Sequence, residues 1–224
     1  MKSVLSTKIL GPSQKELLLH AGIGLVEYNA ITIELLDVDI KTNFDHFVFT
    51  SQNGVKAFLN SHKDKDSFPY LQKPCFCVGE KTRSLLVKNG FNVLVAEPNA
   101  QTLAGVIVQK YGKKSFLFLS GNQRREELPQ ILGQNKVRLE EKMVYHIGYN
   151  PKRFDRNFDI LLFFSPSAVI SFMANNSVQK AKAFCIGETT AQETKKYTDN
   201  YMIARKPTIE NVLVQVVKYV KTHD

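Results

Sequence analysis

Two stretches of this chain, FVFTSQNGVKAFL from Phe47 to Leu59 and LFFSPSAVISFM from Leu162 to Met173, carry one pattern. In each, an apolar, aromatic-rich run ends in small hydroxyl residues, and apolar residues at helical spacing follow at once, which predicts a strand, a tight turn and a helix. The matches continue in order: FCVGEKT against FCIGETT, and EPNAQTL against KPTIENV. The chain therefore reads as four units and then four again, the second series opening at SFLFLSGNQRREELPQIL. Strands that are apolar almost throughout and alternate with helices of about 10 residues predict parallel sheets covered on both faces. Two such halves predict an α/β protein of two similar doubly wound lobes.

The pattern alone leaves two arrangements open: sequential lobes that split near Gly112, or interleaved lobes in which one half's first unit joins the other half. No Gly/Ser-rich or Pro-rich linker is visible, so the connections must be structured segments. The β-rich stretches ITIELL (Ile31 to Leu36) and KMVYHIGY (Lys142 to Tyr149) are the candidates, and two crossings fit interleaving better than one joint.

In an open parallel sheet the turns that follow the strands gather at the carboxyl edge, where such folds take ligands. The repeated turns bring Thr50, Ser51 and Asn53; Gly79 and Thr82; Ser120, Gly121 and Asn122; Ser165 and Ser167; and Gly187, Thr189 and Thr190 to that edge. Helix N-termini lined by small residues bind anions, because unpaired N–H groups and the positive end of the dipole both point outward. The same residue types are also ordinary N-caps, so the case for a site rests on their number and common edge. The formal charge of +9, from 30 Lys and Arg against 21 Asp and Glu, favours an anionic partner.

Other chemistries find no support. There is no GxGxxG or GxxxxGK[ST] cradle, no GxSxG elbow and no carboxylate pair placed for acid/base work. The basic residues are scattered without interleaved aromatics, which argues against nucleic acid. His20, His46, His62, His146 and His223 show no metal-ligand spacing, so no metal is expected. Cys75, Cys77 and Cys185 lie in apolar runs and read as buried thiols, with Cys75 and Cys77 on one side of a strand. No apolar run approaches the roughly 18 residues of a membrane span, and the first residues turn polar too early for a signal-peptide core. The expected location is the cytoplasm.

In FTSQNGV, VGEKT, SGNQRREELPQIL, MVYHIGY, FFSPSAV and IGETTA, in that order, the chain resembles the uroporphyrinogen-III synthases. With the terminal helix, the resemblance covers nearly the whole chain. It implies two α/β lobes joined by a two-stranded β linker, with the substrate cleft between them: residues 1–34 with 151–224, residues 38–145, and linkers at 35–37 and 146–150. It also implies the reaction, in which hydroxymethylbilane, a linear tetrapyrrole with eight carboxylates, is closed with inversion of its last ring and loss of water. No cofactor is implied, and the expected protein is a monomer in transient contact with hydroxymethylbilane synthase. A binding protein for a small polyanion is the alternative from another class. Family members often have TSPRAV or TSxNAV where this chain has TSQNGV, so an Arg sometimes present there is absent, and Arg124 and Arg125 are the candidates to replace it. Tyr145 matches the tyrosine of the family's VY motif. A phenol is ordinarily protonated at neutral pH and can donate a hydrogen bond to a departing hydroxyl, which makes Tyr145 the candidate catalytic residue.

Overall fold

The structure is a computed structural model that describes residues 1–40, 43–62 and 68–223. The chain divides into two compact units, Met1–Thr32 with Gly148–Asp224 (unit 1) and Ile33–Ile147 (unit 2). It begins with β1 (Ser3–Ser6), α1 (Pro12–Leu19) and β2 (Gly24–Glu27) and crosses to unit 2 along β3 (Ile31–Leu35). There follow β4 (His46–Phe49), α2 (Gln52–Ser61), α3 (Phe68–Leu71), β5 (Cys75–Val78), α4 (Glu80–Lys88), β6 (Val93–Glu97), α5 (Ala100–Tyr111), β7 (Ser115–Gly121) and α6 (Glu127–Gln134). The long β8 (Arg138–Tyr149) leads back to unit 1, which continues with β9 (Ile160–Phe163), α7 (Pro166–Met173), β10 (Lys182–Cys185), α8 (Glu188–Lys195), β11 (Tyr201–Ile203) and α9 (Ile209–His223). Pro129 is tolerated because α6 starts at Glu127, so the proline falls in the first turn, where its missing N–H is no loss.

The strand order is β11-β10-β9-β1-β2 in unit 1 and β3-β8-β7-β4-β5-β6 in unit 2. All pairs along the unit 1 sheet are parallel, as are those from β8 to β6 in unit 2. β3 runs antiparallel to the end of β8, since the Leu36 N–H bonds Val144 O while the Asn150 N–H bonds Ala30 O. Written side by side, the two orders are the same: β9, β10, β11, β1 and β2 occupy the places of β4, β5, β6, β7 and β8. The duplication seen in the sequence is thus a duplication of topology, with unit 1 built from both ends of the chain.

The duplication extends to single hydrogen bonds. Asp45, just before β4, accepts from the N–H (2.8 Å) and hydroxyl (2.9 Å) of Ser115 at the start of β7. Asp159, just before β9, accepts from the N–H and hydroxyl of Ser3 at the start of β1, both at 2.8 Å. Each clamp ties the two strands that meet at the middle of its sheet. In each, the bond from the serine backbone, joined by the serine hydroxyl, holds the aspartate below its ordinary pKa.

Central strands such as HFVF and ILLF are buried along their whole length because helices cover both sheet faces. Alternate residues supply the two faces. In unit 2, Phe47, Phe49, Cys75, Cys77, Leu117 and Leu119 pack with Val55, Phe58 and Leu86 on one side, while Val48, Phe76, Phe116 and Phe118 pack with Leu103, Ile107, Leu128 and Leu132 on the other. In unit 1, Leu5, Leu161 and Phe163 face Val169 and Phe172, and Val4, Ile160 and Leu162 face Leu18, Leu213 and Val216. Fully burying each such side chain contributes roughly 1.5–3 kcal/mol. All three cysteines are free and buried, Cys75 and Cys77 on the same face as expected, and burial pushes the Cys77 and Cys185 thiols up to about 11.

His46 is the one polar side chain in the β4 core run. It is 7% exposed, ringed by Phe76, Tyr111 and Phe116, and neither ring nitrogen has a hydrogen-bond partner among the described residues. Burial holds its imidazole below the usual value; Asp45 pulls it up, and Lys114 and Lys73 push it down. The unfolded chain therefore takes up a proton below about pH 6.5 that folded His46 resists, so stability is full above that pH and falls as pH drops. Urea unfolding between pH 7.5 and 5.0 should show this loss, with a His46 share of at most about 1.4 kcal/mol per pH unit. His46→Phe keeps an aromatic ring in an aromatic site and should flatten that limb; an unchanged slope in a folded His46→Phe protein would assign the loss elsewhere.

Candidate functional site

Because the strands are parallel, their carboxyl ends carry the turns to one edge of each sheet. In unit 2, β4 and β7 are neighbours at the point where the strand order reverses, the position at which open α/β sheets take ligands. Thr50 and Ser51 follow β4, and Gly121, Asn122, Arg124 and Arg125 follow or end β7. Gln52 donates to the Lys81 carbonyl at 3.0 Å, linking the turn after β4 to that after β5. The equivalent reversal in unit 1 lies between β9 and β1, the strands followed by Ser165 and Thr7 respectively. Thr7 donates from both its hydroxyl (2.7 Å) and its N–H (3.1 Å) to the Leu162 carbonyl. Thr7 and Lys8 are absent from the residues picked out in the sequence; the signal that finds them is the match of SVLSTK to SFLFLSGN once β1 is paired with β7.

Several of the proposed hydroxyls act as helix caps. The Ser51 oxygen accepts from the Asn53 N–H at 3.2 Å, and Ser165 accepts from Ala168 N–H at 3.1 Å with Pro166 opening α7. Each such cap is worth about 1 kcal/mol. Thr82 and Thr190, at 5% and 2% exposure, turn their side chains inward, and each N–H returns to the carbonyl of the glycine three residues earlier. They sit on the sheet-facing side of α4 and α8. The exposed threonine of that turn in α8 is Thr189, and Gly187 has open space around its Cα. Gly79 has φ +83°, a conformation that strains any side-chain-bearing residue, so its presence is a backbone requirement. Asn53 and Ser167 are half-buried on the first turns of α2 and α7.

The helix starts differ in charge. α4 and α8 open on exposed Glu80 and Glu188, whereas the first turns of α2 and α7 carry no acidic residue. A carboxylate at the first position already balances the helix dipole and repels a second anion. α2 and α7, the duplicated pair, are therefore the stronger anion-binding termini. α2 also sits close to the sheet: a Cβ at Gly54 would lie 2.8 Å from the Leu119 carbonyl oxygen.

The turn after β7 is stitched to β8. Glu141 receives two bonds from Arg124 (Nε to Oε1 at 2.5 Å, Nη2 to Oε2 at 2.8 Å) and one from Ser120 Oγ at 2.6 Å. Arg124 also pairs with Glu126 at 2.5 Å. Burial pushes the Glu141 carboxyl up, but the bonds from Arg124 and Ser120 outweigh it and hold the group below its ordinary value. The Arg124 guanidinium is thus occupied, while Arg125 is exposed and makes no ion pair among the described residues. Asn122 accepts from the Ile147 N–H at 2.8 Å and donates to the Ile147 carbonyl at 3.1 Å.

Tyr145 lies on β8, within the six-stranded sheet of unit 2, and is 6% exposed. Its ring packs at the end of the face formed by Phe49, Leu119 and Val55 and lies directly over Gly121, where a Cβ would overlap Cε2 and Cζ. Its hydroxyl has no hydrogen-bond partner among the described residues and is not sealed from solvent. At the carboxyl end of β7 the structure therefore brings together the Tyr145 ring, the first turn of α2 and the Asn122 clamp.

A cavity of about 640 Å³ in unit 1, lined by Arg153, Phe154, Arg156 and Phe158, lies before the starts of β9 and β10, at the opposite edge from these turns. No helix among the described residues is long and apolar enough to cross a membrane.

A sequence profile described as uroporphyrinogen-III synthase HemD matches residues 14–213. A porphyrin biosynthesis protein HemD from Ruminiclostridium josui is 24% identical over 252 aligned residues, which cover 97% of this chain and 49% of the relative; the chain spans about half the length of that protein. The fold is similar to that of uroporphyrinogen-III synthetase from Helicobacter pylori 26695 (TM-score 0.77, 20% identity, 98% of this chain and 100% of that one). It is also similar to a mutant uroporphyrinogen III synthase from the extremely thermophilic bacterium Thermus thermophilus (TM-score 0.70, 14% identity, 100% of both chains). With the profile spanning residues 14–213, the greater part of both units, the chain belongs to the uroporphyrinogen-III synthase family.

Proposed function

We propose that this chain is a lyase that closes hydroxymethylbilane to uroporphyrinogen III with inversion of the last ring and loss of water, a step of tetrapyrrole biosynthesis. The observation that carries the reading is family membership across residues 14–213. The duplicated turns support it, because the substrate bears eight carboxylates. Its pyrrole nitrogens expel the terminal hydroxyl and generate an electrophilic azafulvene. Attack by the substituted carbon of the last ring forms a spiro intermediate, which fragments and recloses inverted. The substrate thus supplies most of the reactivity, and the protein must fold and orient it and help hydroxide leave as water.

In this reading the N-termini of α2 (Thr50, Ser51, Asn53) and α7 (Ser165, Ser167) take carboxylates first, through outward N–H groups and without a competing acid. The turns at Gly121, Asn122, Gly187 and Thr189 contribute backbone donors, whereas Gly79, Thr82 and Thr190, whose N–H groups are bonded to the Glu97, Gly79 and Gly187 carbonyls, shape their turns without reaching the substrate. Arg125 supplies the exposed cation, Arg124 orders the turn, and the net charge of +9 draws in the polyanion. Tyr145 donates its proton to the departing hydroxyl. The protein acts as a cytoplasmic monomer, in transient contact with hydroxymethylbilane synthase.

Incubation with freshly made hydroxymethylbilane tests the assignment. Enzymatic closure gives the type III isomer, whereas spontaneous closure gives type I. Type III product in excess of the protein concentration is expected, and type I alone would identify a binding protein without this activity.

A further inference from the structure

We propose that Asn122 is the positioning residue for Tyr145. The inference rests on the role given to Tyr145 above and extends it to the question of what aims the phenol. The Tyr145 hydroxyl bonds no described residue, so ring packing and backbone position alone decide where it points. The backbone there is irregular. Pairing of β7 with β8 slips between Ser120 and Gly121: Ser120 faces Met143 but Gly121 faces Tyr145, which leaves Val144 as an extra residue on β8. A bulge of this kind breaks the ladder locally and re-aims the side chain beside it. β7 then ends at Gly121, so no backbone rung follows to restore the register.

The Asn122 amide supplies the missing rung. Its oxygen takes the Ile147 N–H at 2.8 Å and its NH2 gives to the Ile147 carbonyl at 3.1 Å, so one side-chain amide holds both polar groups of Ile147, with Gln123 Nε2 adding a long 3.5 Å bond to the same carbonyl. Upstream of the bulge, Glu141 is held by Ser120 and Arg124. Tyr145 is therefore fixed four residues after one clamp and two before the other. Of the two clamps, only Asn122 lies beyond the point where the β7 ladder has ended; β3 still pairs the other edge of β8, so loss of Asn122 loosens the β7-facing edge beside the phenol while the strand itself stays in place. A donor displaced by about 1 Å can lose most of its effect on a reaction barrier.

The test is a double-mutant cycle in kcat and KM for type III product, using Asn122→Ala and Tyr145→Phe, with thermal unfolding of each protein. We expect Asn122→Ala to lower kcat about tenfold with KM near that of the parent, and to change kcat less than about twofold when Tyr145 is already Phe. Equal losses from Asn122→Ala in both backgrounds would overturn the inference, since Asn122 would then act independently of the phenol. So would parental kcat for Asn122→Ala beside an impaired Tyr145→Phe, a result that leaves the role of Tyr145 standing. Parental kcat for Tyr145→Phe removes the Tyr145 assignment itself, and the inference with it. If Asn122→Ala does not fold, Asn122→Asp serves in its place: it keeps the acceptor for the Ile147 N–H and replaces the donor by a charged oxygen, which raises KM for the polyanion in both backgrounds, so the dependence of kcat on Tyr145 decides the outcome.

Discussion

Tyr145→Phe should lower turnover about a hundredfold, the modest end of what a positioned proton donor contributes, with thermal unfolding close to that of the parent protein. The substitution keeps the ring that lies over Gly121 within the core cluster of Phe49, Val55 and Leu119 and removes only an oxygen that bonds no described residue. No internal hydrogen bond is lost, so a stability penalty has no physical source. A pure packing role thus predicts parental turnover as well as parental stability, and kcat for type III product separates the two. Parental turnover in the folded variant would sink the assignment and leave enforced substrate conformation as the main source of catalysis.

Gly121→Ala should be worse on both counts. The added methyl occupies the space of Tyr145 Cε2 and Cζ, so either the ring swings away or β7 and β8 separate. Overpacking of this kind costs roughly 1–3 kcal/mol, measurable as a lower urea midpoint, and a displaced ring also takes the phenol out of position. Shortening the opposing residue checks the cause: Gly121→Ala should cost little further stability in a Tyr145→Ala protein. An equal penalty in both backgrounds would mean that glycine is needed at 121 for backbone reasons unrelated to the tyrosine.

The differing charges at the helix starts refine the meaning of the repeated turns. FTSQNGV and FFSPSAV open helices without an acid, whereas VGEKT and IGETT place a glutamate at the first position. One repeat therefore encodes two kinds of terminus, and the distinction was legible in the sequence once each motif was placed at a helix start. The inward turn of Thr82 and Thr190 was less so, because it depends on which side of α4 and α8 faces the sheet.

What the sequence determined by itself was every feature whose cause is local. Apolar runs closed by small residues made strands and turns, helical spacing made the helices, Ser51 and Ser165 became caps within three residues of their partners, and the order of the motifs implied two similar lobes. Tertiary structure alone decided the pairings across long separations. Asp159 found Ser3 156 positions away and Asp45 found Ser115 70 positions away. Arg124 was taken by Glu141, and Gly121 became the seat of Tyr145. The reason is physical: periodicity and capping record interactions within one or two turns of chain, whereas a carboxylate or a glycine carries no mark of the partner that strand order will bring beside it. The sequence thus located the carboxyl edge, and only the packing of β7 against β8 showed which of its residues are free to meet a ligand and which are already holding one another.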